Sequence, residues 1–546
     1  MGLKKIKKLV FRKNTQEVNR RFWERIIKAQ RAEWEQALYR AQKGPKILIA
    51  TSTGKEGMAR PVESLLAVAL TLRGANVHIL LCDQFLPACS IALSTMMPDL
   101  SEFVAHGLTK RKCLECHQKG VSTYEALGLP IFSYRRLVAP DDIQKAEETA
   151  GSVPTDMIPA YRWNGMAVGE HALAGALRFF ARGDLDGEPH AAQVLQRYFK
   201  AALLTAVAMR NLLRDIHFDC AVFHHGIYIP QGIIGEVARS ERVRVVNWVR
   251  AYRNRCFIFS HNDTYHHTMM TEPTGRWDNM SWNLQVEQQL LEYLKSRWQG
   301  TMDWVSFLEN PQFDLHKISN EIGVDFSKPT IGLLTNVIWD AQLHYPANAF
   351  RGMVDWVLQT ISYFAKRSDL QLLIRVHPAE LTGMVPSRQL IVDEIRTAFP
   401  ELPQNVFVVP PESRVSTYAA MLQCDAVIIY GTKTGVELTS MGVPVIVAGE
   451  AWIRNKGITL DANSPEGYFR FLDLLPLRKR MEETQIQRAR KYAYHFFFRR
   501  MIPMEFFEST ERRKAFKLTL RSIEDLKPGK SSGLDIICDE ILKGTA

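Results

Sequence analysis

Long apolar runs are missing from these 546 residues: none reaches the ~18 uninterrupted apolar positions that a membrane-spanning helix needs. No repeat of about 20–50 residues and no low-complexity tract is present, which excludes solenoids, propellers and disordered arrays. Cysteine is scarce, 8 in the whole chain, too few for a disulfide-stapled scaffold. The opening MGLKKIKKLVFRKN is basic but has no apolar core or small-residue cleavage site, so no secretory signal is expected and a cytoplasmic location follows. Beyond residue 46 an excess of one charge is also lacking. Residues 1–46 hold 14 Lys/Arg against 4 Asp/Glu, nearly all of the +11 net charge. A body this close to neutral argues against a broad nucleic-acid-binding face.

At 46% apolar and 23% charged the composition is that of a globular protein, and the length calls for two or more domains. Within 1–46, Ile6, Leu9, Val10 and Phe11 lie among Lys4, Lys5, Lys7, Lys8, Arg12 and Lys13, and Phe22, Trp23, Ile26 and Ile27 recur near helical spacing. Such a helix either rests on the anionic inner face of the cytoplasmic membrane or packs its apolar stripe on its own domain. Four cysteines cluster, Cys82, Cys89, Cys113 and Cys116, the last two at CxxC spacing. They form either a metal site or, the commoner case, a set of reduced, partly buried thiols.

The body reads as α/β. PKILIATST (45–53), the apolar-periodic ARPVESLLAVALTLRGA and NVHILLCD make a strand–helix–parallel strand unit. A less regular stretch, about 85–190, holds the cysteines and reads as an insertion that the general fold does not need. The rhythm returns at FDCAVFHHGIYIPQGIIGEVARSERVRVVNWV, and a second set begins near Ser327-Lys328-Pro329 with TIGLLTNV, QLLIRVHP, NVFVVPP, CDAVIIYGT and GVPVIVAG. The expected architecture is two Rossmann-like doubly wound domains facing a cleft: a tail (1–46), a first domain (47–326), a second (327–490) and returning helices (491–546). Open α/β sheets bind ligands beyond the carboxyl ends of their strands, which directs attention to the loops there.

Those loops are rich in chemistry. After the strand ending at Tyr430 come Gly431, Thr432, Lys433 and Thr434, opening a helix that contains Glu437. Its free N–H groups, hydroxyls and lysine charge suit a sugar-nucleotide phosphate, with Glu437 placed to accept from sugar or ribose hydroxyls. His377, before Pro378, ends an apolar strand where an imidazole can donate to a phosphate oxygen or stabilise a departing nucleotide. Thr335, Asn336, Asp340 and His344 crowd another strand end, Asp340 being a candidate to face the reacting sugar. In the first domain Glu56, in the loop Ser52–Glu56, and His225, beside His224 and Gly226, are candidate bases for an acceptor hydroxyl. His261, Asp263, His266 and His267 look like metal ligands by composition, but their spacing fits a polar loop better, and no metal or cofactor is expected.

RVHPAE (375–380), PPES (410–413) and YGTKTGVELTSMGVPVIVAGEAWIRNKGIT (430–459), with TSTGKEG (51–57) and LLCDQFLPAC (80–89), resemble the bacterial capsular polysaccharide biosynthesis proteins, a family that includes sugar transferases of GT-B architecture. The resemblance extends over about residues 45–500. It is similar to transferases that add Kdo or sialic acid from CMP-sugars, and it implies nucleotide-phosphate contacts for His377, Pro378, Thr432, Thr434 and, less directly, Ser413. Gly-Thr-Lys-Thr stands where some of those enzymes have paired serines, which leaves CMP- and UDP-linked donors both open. The expected activity is glycosyl transfer, without a required metal, to a growing capsule or other surface polysaccharide or a glycolipid, with the membrane surface and the export machinery as partners. A sugar-nucleotide 2-epimerase or hydrolase on the same scaffold, or a non-catalytic assembly factor, are the alternatives.

Overall fold

The computed structural model describes residues 22–544 apart from 98, 306, 309, 342–346, 478–479 and 510–515. A leading helix, α1 (Arg31–Ala41), turns Trp34, Ala37 and Ala41 inward. β1 (Lys46–Ser52) is buried at every position after Lys46, as expected of a parallel strand covered on both faces. α2 (Ala59–Leu72), apolar nearly all round, carries the chain to β2 (Asn76–Leu81), parallel to β1. Between them Gly54 is a steric requirement. A Cβ there would lie 2.2 Å from the carbonyl oxygen of Cys116, so only glycine lets this loop press against α3 (Lys110–Glu125).

β3 (Ile131–Ser133) adds to the β2 edge, and α4 (Val168–Phe180) packs along α5 (Ala191–Asp215). β4 (Cys220–His224), α6 (Gln231–Ser240), β5 (Arg244–Arg250) and β6 (Cys256–His261) complete the run. The strand order is β6-β5-β4-β1-β2-β3, all parallel except β6. The 85–190 stretch is therefore part of the domain and not an ornament: it supplies β3 and much of the helical layer over one sheet face.

α7 (Leu284–Gln299) lies between the domains in sequence. The second domain follows with β7 (Thr330–Leu334), α8 (Met353–Phe364), β8 (Gln371–Arg375), β9 (Val406–Val409), β10 (Ala426–Ile429), α9 (Thr434–Ser440), β11 (Val445–Val447) and β12 (Leu460–Asp461). All six strands are parallel, in the order β12-β11-β10-β7-β8-β9. α10 (Glu483–Tyr494) packs on α9 and α7. The chain then returns to the first domain, where β13 (Ile502–Pro503) pairs antiparallel with β6 and α11 (Ser532–Lys543) packs on α2 and β4. The expected pair of doubly wound domains facing a cleft is the arrangement observed.

Of the N-terminal stripe, Trp23 and Ile26 are buried in the first domain's core, so this part of it packs on the protein. Residues 1–21, with the basic cluster, lie outside the described residues. All eight cysteines are free. Cys82, Cys89, Cys113 and Cys116 are close enough to act on one another electrostatically, yet among the described residues no group of three or more His, Cys, Asp or Glu can hold a metal. Burial raises the thiol of Cys82 to about 11 and those of Cys89, Cys113 and Cys116 above their ordinary value. Among the described residues no helix is long and apolar enough to cross a membrane.

Candidate functional site

Each sheet reverses its strand order once, between β1 and β4 in the first domain and between β7 and β10 in the second. Loops leaving a sheet at such a point diverge to opposite faces and open a crevice. Here the two crevices meet in one cavity of about 500 Å³. Glu56 follows β1 into it, His224 ends β4 and His225 comes directly after it. From the second domain come Thr335, Asn336 and Asp340 after β7, His377 and Pro378 after β8, and Gly431, Thr432, Lys433 and Thr434 after β10.

The same device fixes the histidine ends of both sheets. The backbone N–H of His377 donates to Thr335 Oγ1 at 3.0 Å, and that of His224 donates to Thr51 Oγ1 at 2.8 Å. In each case a threonine at or just past the end of one strand pins a histidine at or just past the end of its parallel neighbour. The ring of His377 is fixed too: its Nδ1 accepts from the Ala379 N–H at 3.0 Å, which places the imidazole proton on Nε2. Burial, with the charges of Lys433 and Arg375, lowers its pKa to about 3. His377 is thus a neutral hydrogen-bond donor and not a charged acid. Asn336 Oδ1 accepts from the Gly431 N–H at 3.2 Å, and Thr432 Oγ1 donates to Thr434 Oγ1 at 3.2 Å, so the two hydroxyls sit side by side.

Three expected site residues lie elsewhere. Tyr430 is buried beneath the loop, its hydroxyl donating to the Phe350 carbonyl at 3.1 Å and its ring 5.3 Å from that of Trp356. Ser413 faces away: its hydroxyl donates to Glu321 at 3.1 Å, and its carbonyl accepts from the buried Arg375 guanidinium at 3.1 Å. Glu437 is 2% exposed and cannot meet sugar or ribose hydroxyls. Its carboxylate accepts from Lys433 Nζ at 2.7 Å and from the Tyr418 hydroxyl, and forms an ion pair with Arg297, whose Nε is 3.2 Å away. Burial alone would raise its pKa; Arg297 and Lys433 instead hold it down to about 2. α9 is also only seven residues long, so the hydroxyls and Lys433, more than a helix dipole, supply the polar character.

The first-domain wall is built around a strained turn. His225 has φ 68° and Gly226 φ 80°, consecutive left-handed residues that tip the His225 ring out of the strand. That ring stacks on Tyr228 at 4.9 Å, and its buried Nδ1 has no hydrogen-bond partner among the described residues. Burial and the neighbouring His224 and His266 depress its pKa well below the ordinary value. The Tyr228 hydroxyl crosses the cleft, donating to Asp340 Oδ1 at 2.9 Å and accepting from the Ala341 N–H at 2.8 Å. Asp340 opens to the cavity, yet protein surrounds it, and this desolvation raises its pKa against the pull of Tyr228 and Arg178. His344 is outside the described residues.

Sequence reading missed Arg178, Tyr228 and Trp452. Arg178, on α4, donates to the Ser90 carbonyl at 2.6 Å and lies 5.2 Å over the Tyr228 ring, so the stretch read as dispensable contributes to the cavity wall. One arginine in an apolar helix was the signal available. Trp452 donates from Nε1 to His266 Nδ1 at 3.0 Å. The other members of that set are not a loop: His261 ends β6 and reaches Glu540 at 3.3 Å, while His267, on a short helix over Tyr265–Thr271, stands 3.4 Å from Asp263.

Residues 322–476 match the capsule polysaccharide biosynthesis protein family. The matched segment holds His377, Pro378 and the Gly431–Thr434 loop, where the sequence resemblance was densest. No curated protein matches the chain. Among solved structures, the chain is similar to the KpsC β-Kdo 2,4-transferase of Thermosulfurimonas dismutans (13% identity over 50% of this chain and 79% of that one, TM-score 0.32). It is also similar to the UDP-GlcNAc 2-epimerase of Neisseria meningitidis bound to UDP-GlcNAc (12%, 91% and 100%, TM-score 0.26) and to the calicheamicin glycosyltransferase CalG4 (12%, 83% and 94%, TM-score 0.22). All three likenesses are distant.

Proposed function

We propose that this protein transfers a sugar from a nucleotide-linked donor, CMP- or UDP-linked, to a growing capsule or other surface polysaccharide. One observation carries the reading. A single interdomain cavity joins a neutral imidazole donor, two adjacent hydroxyls and an ammonium on one domain to carboxylate and aromatic groups on the other. The first set fits the phosphate of a leaving nucleotide: His377 Nε2–H and the Thr434 hydroxyl donate, Thr432 orients that hydroxyl, and Lys433 offsets the charge that grows as the glycosidic C–O bond breaks. On the opposite domain Glu56 takes the proton of the acceptor hydroxyl as its oxygen attacks the anomeric carbon. His225, held neutral and weakly basic, and Asp340, braced by Tyr228, shape the sugar's surroundings. No metal or cofactor is required in this scheme. The acceptor is a polysaccharide or glycolipid at the inner face of the cytoplasmic membrane, with the basic segment ahead of Trp23 as the contact to that surface and the export machinery as a further partner.

The test is a screen of CMP- and UDP-sugars, with and without capsular oligosaccharide acceptors and with EDTA throughout, reading free nucleotide and extended glycan. Acceptor-dependent release that survives EDTA is expected. Nucleotide release or sugar isomerisation that ignores the acceptor would instead identify a hydrolase or epimerase, and absence of binding to every donor would leave an assembly factor.

A further inference from the structure

Beneath the phosphate half of the cavity lies a buried ionic cluster that joins distant parts of the chain. Arg297, 4% exposed at its side chain, comes from α7, ahead of the second domain. Its guanidinium meets Glu437 on α9 at 3.2 Å, contacts Asp303 and donates to the Tyr293 hydroxyl at 3.1 Å. Glu437 accepts from Lys433 at 2.7 Å and from Tyr418. The Lys433 ammonium also stands 4.6 Å from the Tyr252 ring centroid, on the cavity wall. Two cations and two carboxylates thus balance with no ligand bound, in surroundings where a lone buried charge is unfavourable.

An ammonium has three N–H donors. One goes to Glu437, and because Lys433 lines the cavity with Thr432 and Thr434, the others are left for the Tyr252 ring and a ligand there. Without Glu437 the Lys433 stem, which has several rotatable bonds, keeps only the Tyr252 ring as a partner, and its charge loses the carboxylate that offsets its burial.

We propose that Glu437 and Arg297 are positioning residues: Arg297 clamps Glu437 from the linking helix, and Glu437 aims the Lys433 ammonium at the donor's phosphate without touching the donor itself. The proposal rests on the reading of the cavity as a nucleotide-sugar site. It predicts that the chain's grip on phosphate depends on a carboxylate the ligand never meets.

Calorimetry with CMP and UDP, set beside cytidine and uridine, tests it on the full chain. Glu437→Gln should weaken the better nucleotide by about tenfold, the scale of one charge-assisted hydrogen bond, and leave the matching nucleoside unchanged. Lys433→Met should do the same, and the double variant should lose no more than either alone, because both act on one contact. Arg297→Lys, which keeps the charge but not the forked geometry, should weaken nucleotide binding by a smaller factor. Should Glu437→Gln fail to fold, Glu437→Asp, which retains the charge on a shorter stem, is expected to restore the fold with nucleotide binding still reduced. Losses that add in the double variant, or equal loss of nucleotide and nucleoside, overturn the positioning role alone. Wild-type protein that binds neither CMP nor UDP overturns the donor-site reading, and this proposal with it.

Discussion

His377 and Glu437 show what can be read from a sequence at the scale of one residue. His377 was legible because it ends an apolar run directly before a proline, and a polar side chain there faces the end of the sheet. Glu437 looked equally well placed, one turn into a helix, but its partner Arg297 belongs to another part of the chain, and no local pattern discloses a buried ion pair. Replacing His377 with alanine removes a fixed donor to the leaving phosphate. Turnover is expected to fall about 100-fold or more, with the melting temperature little changed. Equal turnover in the variant would remove the histidine from the reaction. The clustered thiols offer a second check. Because burial raises Cys82 to about 11, and Cys89, Cys113 and Cys116 above their ordinary value, the thiolate fraction at pH 8 is small. Iodoacetamide should label them slowly in the folded protein and quickly in urea. Rapid labelling of the native chain would mean that the cluster is open and reactive.

At the scale of elements, the central strands were legible and several edge strands were not. β1, β4, β7, β8 and β10 are covered on both faces and so read as unbroken apolar runs. β3, β12 and β13 span two or three residues, too few to show a period, and β13 contains a proline. Their pairing is decided by the sheet edge they meet. The leading segment makes the same point, since its apolar stripe suited a membrane surface as well as a core. Trp23 has no exposed surface, so Trp23→Ala should lower stability by about 3–5 kcal/mol, measured by denaturant unfolding. Deleting only residues 1–21 should leave the melting point near that of the full chain while reducing binding to anionic liposomes. Unchanged liposome binding would dismiss the surface contact.

On the scale of the whole molecule, acid should act on the contact between the domains. Burial depresses His377 and His266 from an ordinary 6.5 to about 3. Below pH 6.5 the unfolded chain therefore takes up protons that the native protein refuses, and stability declines as pH falls toward 3. Glu437, at about 2, adds to the decline below its ordinary 4.5, again because the unfolded chain binds the proton first. His266 accepts from Trp452 across the cleft, so its protonation also removes an interdomain hydrogen bond. Melting temperatures measured from pH 7 to pH 4 should drop steadily, and His266→Asn should flatten the slope. A parallel curve for that variant would show that another group sets the acid limit.

The return of the chain to its first sheet through β13 has a mechanical consequence. The two lobes are joined by two strands of polypeptide, one ahead of β7 and one after α10, and a pair of tethers acts like a door hung on two pins. It permits swinging about the line through both crossings and resists swivelling about either one. Were the lobes to part, a donor and an acceptor carried on opposite sides, as the proposed transfer requires, would meet again in the same register.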